Sequence, residues 1–440
     1  MVIQVKMNEV DKMQSGIKFE VDYMDSSGTI DVIVDGIYEQ LIRYSFVIPA
    51  HGCRADVHKK HLKVVLINLI KAQVHGCGGY VSYNRNNNYF EYRKTRYNPN
   101  NIRPAQLRTV VDALIELGYI INKRGYKDWS KQSKHRSSEA SKMRLANHGL
   151  EMIKNIGVSY CNDGIYRGME VIQLKGIKDH KTKMAPLLQY KDTHHTKRMR
   201  KNLRSYNEFI STQLVFCPNL RCKRHVVYRV FNNGSWHQGG RFYSGCYENM
   251  IVLNSEVERV SNVPYRNDIK INENSVIELD YKAFHPSILY HDAGFDLDFD
   301  FDPYIIDGLQ REKVVKPIFN ILINSASEKL AFCAIRYQVN RLKKIIIPVG
   351  WTIEKVVAAI REKNYKIDKY FFSSVANSLM NRDSFLTESI INYFTKKNLV
   401  VLPVHDSYIV ESKHATLLHE VMITEFNKRF GFTPKIDKKY

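Results

Sequence analysis

Two short apolar segments, far apart in the chain, each lead to an aspartate. The run Val276–Leu279 precedes Asp280, a pattern that predicts a carboxylate at the carboxyl end of a buried strand, with a helix after it. In Val401–Glu411, two apolar arms flank a polar tip that carries Asp406, as expected for a hairpin. The fold must place the strand before Asp280 and the hairpin around Asp406 in a sheet. This requirement constrains the fold more than any other feature of the sequence.

Two strand-end carboxylates brought side by side form a site for a divalent cation. Mg²⁺ prefers oxygen ligands and keeps some of its waters, so one or two Asp side chains together with substrate phosphates hold it. Two ions roughly 3.5–4 Å apart activate an attacking hydroxyl and neutralise a leaving group in an in-line displacement. For either segment alone, a helix cap at Asp280 or a plain turn at Asp406 is the better explanation. The two together favour a site for Mg²⁺, with Mn²⁺ as an alternative.

The residues around these acids resemble polymerase motifs. Asp280–Tyr290, D-Y-K-A-F-H-P-S-I-L-Y, resembles motif A of palm-domain DNA polymerases, and its P-S-I run is similar to the family B form. V-H-D-S at Val404–Ser407 instead resembles motif C of family A DNA polymerases and of single-subunit RNA polymerases. The mixture indicates a divergent palm enzyme. It implies an α+β fold, in which a palm of antiparallel sheet and helices carries fingers-like helices, with Asp280 and Asp406 as catalytic metal ligands.

A third motif lies between these two. The run Arg311–Ser325 resembles motif B, in which a lysine and later residues on one helix face contact the incoming nucleoside triphosphate. Spacings of four place Lys316, Asn320 and Asn324 on neighbouring turns of one face. The resemblance implies that Lys316 and Arg311 bind the nucleotide phosphates, while Asn320 and Asn324 face its base pair or sugar.

Two features depart from the motif B pattern. Pro317 disfavours a helical Lys316, and Arg311 stands one residue further from the lysine than in family A. A helix that begins at Pro317 would offer free N–H groups to phosphate. The alternative is a buried helix, because apolar residues cover nearly every side: Ile318, Phe319, Ile321, Leu322 and Ile323.

His285 lies near the position at which related polymerases carry a bulky residue that clashes with the 2′-hydroxyl of a ribose. An imidazole is large enough for that role, which favours deoxynucleotides. A histidine that is hydrogen-bonded at a strand–helix junction is an equally good explanation.

Length and charge bound the class of protein. A chain of 440 residues is expected to form two or three domains. Its net charge of +21 suits a polyanion, because each phosphate that it neutralises releases counterions. No apolar run has the length of a bilayer span, so nucleic acid is a better partner than a membrane. We expect a DNA template, a primer and nucleoside triphosphates as partners.

The N-terminus and the cysteines indicate a cytoplasmic protein. Met1–Asp11 carries acids and lacks the apolar core of a signal peptide. The seven cysteines, an odd number, fit reduced thiols. A zinc site is only weakly indicated, because the candidate ligands lack a second close pair: Cys217, Cys222, His225 and Cys246.

Residues 1–155 are predicted to form a DNA-binding region. Its start alternates apolar and polar positions in places, as in Ile30–Ile42, and His61–Ala72 is a helix pattern. Pro104 opens a second helix that Gly118 stops, and a strand and a basic turn with Lys123 and Arg124 follow. This order resembles a winged helix-turn-helix module, in which the helix approaches the major groove and the turn contacts phosphates. A small α+β domain with solvated charges fits equally well.

Further segments of the N-terminal region are less regular. A hairpin is expected around Asn86–Asn88, and Ser130–Lys142 reads as a flexible insertion, with an extended wing as the alternative.

Residues 156–440 are predicted to form the polymerase core. Thr196–Phe209 reads as a helix that presents Arg198 and Lys201 to a nucleic-acid backbone, although such charge runs are usually solvated. A turn at Gly239-Gly240-Arg241 would let Arg241 reach a phosphate while Tyr243 stacks on a base. A tight turn between two strands explains the glycines equally well.

Two later segments are predicted to support the motif C hairpin. Phe371–Phe394 reads as one or two helices that carry Asp383, Ser384 and Glu388 and pack beneath it. Glu411, at the end of its second arm, is expected behind the metal ligands.

The preferred interpretation is a DNA-directed DNA polymerase fused to a DNA-binding module, as in the replication proteins of mobile elements or viruses. An RNA polymerase or primase is favoured by V-H-D-S and opposed by His285. A non-catalytic replication initiator, in which the palm is only a scaffold, is a further alternative. The primer requirement, the sequence specificity and the oligomeric state stay open.

Overall fold

The structure is a computed structural model that combines helices with antiparallel and mixed sheets. The described residues are 17–25, 27–44, 48–74, 79–86, 95–127, 138–154, 156, 165–179, 185–216, 226–244, 264–295, 297 and 300–439. The chain divides into two compact units, Met1–Glu170 with Arg221–Val226, and Val171–Leu220 with Val227–Tyr440. Within the described ranges, no helix combines the length and the apolar character that crossing a bilayer requires.

The first unit surrounds one apolar core. Its described helices are α1 (Asp31–Tyr44), α2 (Gly52–Val74), α3 (Pro104–Glu116) and α4 (Asn147–Met152). Its described strands are β1 (Ile17–Lys18), β2 (Tyr23–Asp25), β3 (Val81–Tyr83), β4 (Ile120–Lys123), β5 (Tyr126–Lys127), β6 (Ser138–Glu139), β7 (Ser141–Leu145) and β8 (Ile165–Arg167). Four of them form a sheet in the order β1-β3-β7-β4, in which β1 and β3 are parallel and the other pairs antiparallel.

The sequence predictions for this unit succeed in part. The helices at His61–Ala72 and Pro104 are confirmed, and Gly118 ends α3 at a φ of +71°, which favours glycine. The alternation in Ile30–Ile42 was misleading, because α1 buries residues at helical spacing: Val34, Ile37, Tyr38 and Leu41.

Two other predictions fall mostly outside the described residues. Residues 87–94, which include most of the expected hairpin around Asn86–Asn88, are not among them, and neither are 128–137 of the expected insertion. The described end of that insertion is ordered as strands: Ser138–Glu139 pairs with Tyr126–Lys127, and Ser141 and Lys142 belong to β7.

The second unit is built on a sheet in the order β10-β13-β14-β16-β15, with β17 also paired to β14. Every described pairing in it is antiparallel. The described strands of this unit are β9 (Ile172–Leu174), β10 (Val215–Phe216), β11 (Tyr228–Phe231), β12 (Gly239–Tyr243), β13 (Lys270–Ile271), β14 (Asn274–Tyr281), β15 (Leu402–Val404), β16 (Ser407–Glu411) and β17 (Ile436–Lys438). Its described α-helices are α5 (His194–Ser211), α6 (Phe284–Asp292), α7 (Lys316–Asn324), α8 (Glu328–Arg336), α9 (Ile353–Lys363), α10 (Ala376–Lys396) and α11 (Ala415–Phe430).

Strand β14 forms as the sequence predicts. A two-residue turn, Asn272-Glu273, joins it to β13, and both turn residues have positive φ, at 49° and 68°. Val276 to Leu279 are buried, which matches the apolar run. After Tyr281 the chain turns through Ala283, at a φ of +47°, into α6, which confirms the predicted strand-to-helix change at Asp280.

Helices α5 and α10 brace this sheet and its neighbour, the three-stranded sheet β12-β11-β9. Thr193 caps α5 by accepting from the Thr196 N–H group, while the Thr196 hydroxyl in turn binds the Thr193 N–H group. The α5 face that includes Tyr206 is buried, and the Tyr206 hydroxyl donates to the Val401 carbonyl at 2.7 Å. These contacts fix the position of the β15–β16 hairpin.

Candidate active site

The structure places Asp280 and Asp406 side by side at the ends of neighbouring strands. Asp280 lies opposite Ser407 in the antiparallel pairing of β14 with β16, and Asp406 directly precedes Ser407. The Tyr281 N–H group also donates to the Asp406 carbonyl at 3.3 Å. The β15–β16 hairpin turns at His405, which has a φ of +58°, so Asp406 stands at its tip as predicted.

The environment of Asp280 disfavours its ionised form. Burial, together with the charge of Asp406, raises the pKa of Asp280 to about 7 even though Lys439 opposes the shift. Lys439 Nζ lies 3.1 Å from Asp280 Oδ2. Oδ1 is buried, and no described residue donates a hydrogen bond to it. Such an oxygen has lost its hydration without gaining a partner, which is costly unless a cation or a ligand donor supplies one.

These features fit a divalent cation held by two carboxylates. Two Asp oxygens supply part of an oxygen shell, and Mg²⁺ usually completes such a shell with waters and substrate phosphates. Within the described part of the chain, no group of three or more His, Cys, Asp or Glu side chains has a geometry that holds a metal. Asp280 and Asp406 offer two oxygen ligands to such a shell, and waters and substrate phosphates would supply the others.

A buried carboxylate that sequence reasoning missed lies behind the pair. Glu278, two residues before Asp280 and on the same face of β14, is fully buried. It accepts hydrogen bonds from Arg266 Nη1 at 2.8 Å and from Ser407 Oγ at 2.6 Å, and Lys439 Nζ lies 3.3 Å away. Glu278 thus fixes the residue after Asp406 and one cation beside Asp280. The sequence signal that could have identified Glu278 is its position within an otherwise apolar strand.

A second cluster joins motif A to helix α10. Asp383 Oδ2 accepts from Arg241 Nε at 2.9 Å and from Arg241 Nη2 at 2.5 Å, and His285 Nε2 lies 3.1 Å from the same oxygen. Asp383 is almost completely buried, and its Oδ1 has no hydrogen-bond partner among the described residues. Asp383 therefore fixes the rotamer of His285, the residue expected to contact the sugar.

Arg241 and Tyr243 lie near the site, but the expected turn at Gly239-Gly240-Arg241 was wrong. Residues Gly239–Tyr243 are strand β12, and the pairing with β11 shifts register there. Gly240 has a φ of +94°, and a Cβ atom on it would lie 2.7 Å from Ser384 Oγ of α10. Glycine is therefore needed because this bulged strand passes close to a helix.

The side chains of β12 bind protein groups in this structure. Arg241 is ion-paired with Asp383, as described above. Burial opposes its charge, but Asp383, with a smaller contribution from Asp406, raises the pKa of the Arg241 guanidinium. The Tyr243 ring stacks on Tyr228, with centroids 5.9 Å apart, and meets the His405 ring edge at 5.8 Å. His405 therefore packs against β12 through the Tyr243 ring while it forms the turn of the hairpin.

The motif B segment is helical from Arg311 onward. A π-helical turn, Arg311–Val315, continues directly into α7, and Lys316 has helical φ and ψ angles of −61° and −43°. The N–H group of Lys316 donates to the Arg311 carbonyl. The expected obstacle at Pro317 does not prevent this, because Lys316 keeps helical angles and Pro317 stands in the first turn of α7. The alternative of a free helix N-terminus at Pro317 is wrong, because the helical turn Arg311–Val315 precedes it without a break.

Helix α7 shows the predicted face. Asn320 and Asn324 are exposed and Lys316 is half-buried, whereas Ile318, Phe319, Leu322 and Ile323 are buried on the opposite side. A helix buried on all sides was therefore the wrong alternative. Lys316 Nζ lies 3.4 Å from Glu312 Oε2, and Arg311 Nε donates to Asp302 Oδ2 at 2.9 Å.

Tyr304 links this helix to the carboxylates and was not foreseen. The cations of Arg311 and Lys316 lie 5.3 Å and 5.9 Å from its ring centroid. Burial, with a contribution from the Asp406 charge, raises the pKa of the Tyr304 phenol. Tyr304 is therefore the ring that both motif B cations share, and the Asp406 charge acts on the same phenol. No sequence pattern marked Tyr304.

A buried ion pair holds α10 against the three-stranded sheet. Arg229 is 1% exposed; its guanidinium donates to Glu388 at 2.7 Å, to Ser384 at 3.1 Å and to the Gly240 carbonyl at 2.9 Å. Thr387, also on α10, shares a hydrogen bond with the Tyr408 hydroxyl at 2.9 Å. The prediction that this segment packs beneath the hairpin is confirmed.

The other cations that were predicted to bind nucleic acid are exposed. Arg198 and Lys201 are exposed on α5, as predicted, and Lys123 and Arg124 are exposed at the end of β4 in the first unit.

The position expected for Glu411 was wrong, because β16 carries it to the far end of β14, where it accepts from Asn274 Nδ2 at 2.7 Å. The weak zinc candidates lie outside the described residues: Cys217, Cys222, His225 and Cys246.

A comparison with models of known protein families finds no match to this chain, and a search of curated proteins finds no significant relative.

Proposed function

We propose that this chain is a template-dependent DNA polymerase that adds deoxynucleotides to a 3′-hydroxyl and releases pyrophosphate. The observation that carries the proposal is the pairing of Asp280 with Asp406 at adjoining strand ends, with one buried Asp280 oxygen that no described residue binds. Carboxylates so placed hold Mg²⁺, which when bound supplies charge neutralisation for in-line phosphoryl transfer.

The protein groups around that centre have different roles. Asp280 and Asp406 hold the cations, and Lys316 with Arg311 neutralises triphosphate oxygens from the exposed side of α7. Asn320 and Asn324 face the base pair. Because Asp383 holds the His285 imidazole, that ring excludes a 2′-hydroxyl, which favours deoxynucleotides over ribonucleotides.

Primer extension with Mg²⁺ tests the reaction. Asp280→Asn and Asp406→Asn keep the size of each side chain but remove a ligand charge. Because metal stabilisation of the transition state amounts to several kcal/mol, we expect each to lose about a thousandfold or more in rate. Glu273→Gln is the matched control, since Glu273 is an exposed carboxylate at the opposite end of β14. A wild-type protein without metal-dependent extension, or carboxylate variants as active as Glu273→Gln, would contradict the proposal.

An RNA polymerase or primase is the second candidate, supported by the V-H-D-S sequence at the hairpin tip. The test compares deoxynucleotide and ribonucleotide incorporation by the wild type, His285→Ala and Asp383→Asn. A DNA polymerase prefers deoxynucleotides, and both variants weaken that preference. A wild type that prefers ribonucleotides supports the second candidate instead.

A non-catalytic initiator is the third candidate, and the first unit supports it. After α3, the pairing of β4 with β7 and of β5 with β6 is consistent with a winged-helix module, whose wing would place Lys123 and Arg124 near phosphates. Duplex binding that depends on these two cations, survives Asp406→Asn and occurs without any extension activity would favour the initiator.

A further inference from the structure

One segment of the second unit is rich in basic residues that have no role in the proposed reaction. The 25 residues between Glu328 and Glu354 include five Lys or Arg and no Asp or Glu. They begin with α8, continue through the π-helical turn Tyr337–Arg341 and end in an irregular segment. We call residues 329–344 the basic ridge.

The ridge exposes apolar side chains. Helix α8 buries only Ala331 and Ile335, whereas Leu330 and Tyr337 are 56% and 53% exposed. Cys333 is also exposed and lies between these two on the same face, because the spacings are three and four. An apolar helix face without a covering element is an interaction surface.

Most of the ridge cations form no ion pair with the described residues. Arg336 Nη2 lies 3.2 Å from Glu354 Oε1. In contrast, no ion pair to a described residue involves the other four, Lys329, Arg341, Lys343 and Lys344. All four are exposed. Four unpaired cations around exposed aromatic and aliphatic side chains are complementary to a ligand that carries both negative charge and flat apolar faces.

Single-stranded nucleic acid has that combination, because its phosphates neutralise cations and its unpaired bases stack on aromatic rings. Duplex DNA hides its base faces, and an acidic protein segment does not stack. The small Cys333 and Ala334 side chains between Leu330 and Tyr337 leave the ridge without the continuous large apolar face that a membrane-surface helix needs.

We propose that the basic ridge binds the single-stranded template. Only three residues, Ser325 to Ser327, separate α8 from α7, and the two helices pack together, so the ridge continues from the helix expected to contact the incoming nucleotide. The identity of the strand as template rests on the proposed function. The proposed affinity of the basic ridge for single-stranded nucleic acid does not depend on the proposed function.

Charge removal tests the phosphate contacts. The full-length protein is titrated with a fluorescent oligodeoxythymidine at several salt concentrations. We expect Lys343→Gln/Lys344→Gln to reduce the slope of log K against log salt by about 1.4, which is about 25-fold weaker binding in 0.1 M salt. Lys396→Gln/Lys397→Gln is the matched control, since it removes two adjacent exposed lysines at the end of α10. Equal losses in the two pairs would overturn the proposal.

Ring removal tests stacking. Tyr337→Ala is expected to weaken oligodeoxythymidine binding about tenfold, while Tyr337→Phe keeps it. Tyr365→Ala, at another exposed tyrosine of this unit, is the control. Because both tyrosines are exposed, an unchanged melting temperature shows that folding is intact. If Tyr337→Ala binds as tightly as Tyr365→Ala, stacking on the ridge is excluded.

A thiol footprint locates the strand independently of synthesis. Cys333 on the ridge and Cys53 in the first unit are both exposed and free, so alkylation at each is quantified by peptide mass spectrometry. We expect the oligonucleotide to protect Cys333 and leave Cys53 reactive. Protection of Cys333 by anionic phospholipid vesicles and not by the oligonucleotide would overturn the proposal in favour of a membrane surface. Failed primer extension with a protected Cys333 would refute the polymerase and leave the ridge as a single-strand site.

Discussion

Cation binding at Asp280 should depend steeply on pH. Its pKa of about 7 means that the metal-free carboxyl is about half protonated at neutrality and mostly protonated at pH 6, and a cation must displace that proton. Affinity for Mn²⁺ or Mg²⁺ should therefore rise with pH and level off above pH 7. A solvated aspartate, with a pKa near 3.9, would give no such dependence between pH 6 and 8.

The size of the effect follows from the fraction of Asp280 that is ionised. With a pKa of about 7, that fraction is about one tenth at pH 6 and about nine tenths at pH 8. The apparent dissociation constant for the cation should therefore be about tenfold higher at pH 6 than at pH 8. This corresponds to about 1.4 kcal/mol of binding free energy.

Electron paramagnetic resonance of free Mn²⁺ measures this binding without turnover. Lys439→Gln is the informative variant, because it removes the ammonium group 3.1 Å from Asp280, and its loss should raise the pKa and shift the pH midpoint upward. Lys438→Gln is the control. Lys438 precedes Lys439 in the chain, and alternation along β17 turns its side chain to the other face. An apparent affinity that is flat from pH 6 to 8, or equal shifts in the two variants, would refute the reasoning.

Three predictions concern stability. Glu388→Gln should lower the free energy of unfolding by about 3 kcal/mol in a denaturant titration, because the buried Arg229 guanidinium loses its countercharge. A double Arg229→Met/Glu388→Leu variant should recover most of the lost stability. Gly240→Ala should lower the melting temperature more than Gly294→Ala does. Both glycines have positive φ, but only at Gly240 does a Cβ clash with neighbouring atoms. Stability should also fall by about 3 kcal/mol as the pH drops from 6.5 to 4. His61, whose pKa burial lowers to about 4, stays neutral in the folded state while the unfolded state takes up a proton; His61→Gln should flatten that dependence.

The elements around the carboxylates were predictable because their signals are local. An apolar run ending on Asp280, two apolar arms around Asp406 and spacings of four from Lys316 each determine a strand end, a turn or a helix face without reference to distant residues. The same reasoning failed at Ile30–Ile42, because a short helix with charges on its exposed face also alternates between apolar and polar residues over a few positions.

The supporting residues were not predictable because their partners are distant in sequence. Asp383 contacts Arg241 and His285, which lie 142 and 98 positions away, and Glu278 contacts Ser407, which lies 129 positions away. A glutamate within an apolar strand and an aspartate within a helix are visible in the sequence, but their partners are set by tertiary packing. The glycines of β12 were misassigned for the same reason, since Gly240 is needed where α10 passes.

The energetic cost of the carboxylate cluster bears on whether the sheet that carries β14 and β16 is only a scaffold. Glu278 and Asp280 lie in β14, and Asp406 directly precedes β16. Burial, together with the Asp406 charge, raises the pKa of Asp280 to about 7, which disfavours its ionised form by several kcal/mol. Replacing such buried charges by apolar residues of similar size is often neutral or stabilising. A scaffold gains nothing from keeping Asp280 Oδ1 buried without a partner among the described residues, whereas a cation site needs a carboxylate oxygen that no protein donor occupies. This asymmetry favours a catalytic sheet over a structural one. It also predicts that Asp280→Asn stabilises the metal-free protein above pH 7 and abolishes extension. A thermal melt without Mg²⁺ measures the first effect, and primer extension with Mg²⁺ measures the second.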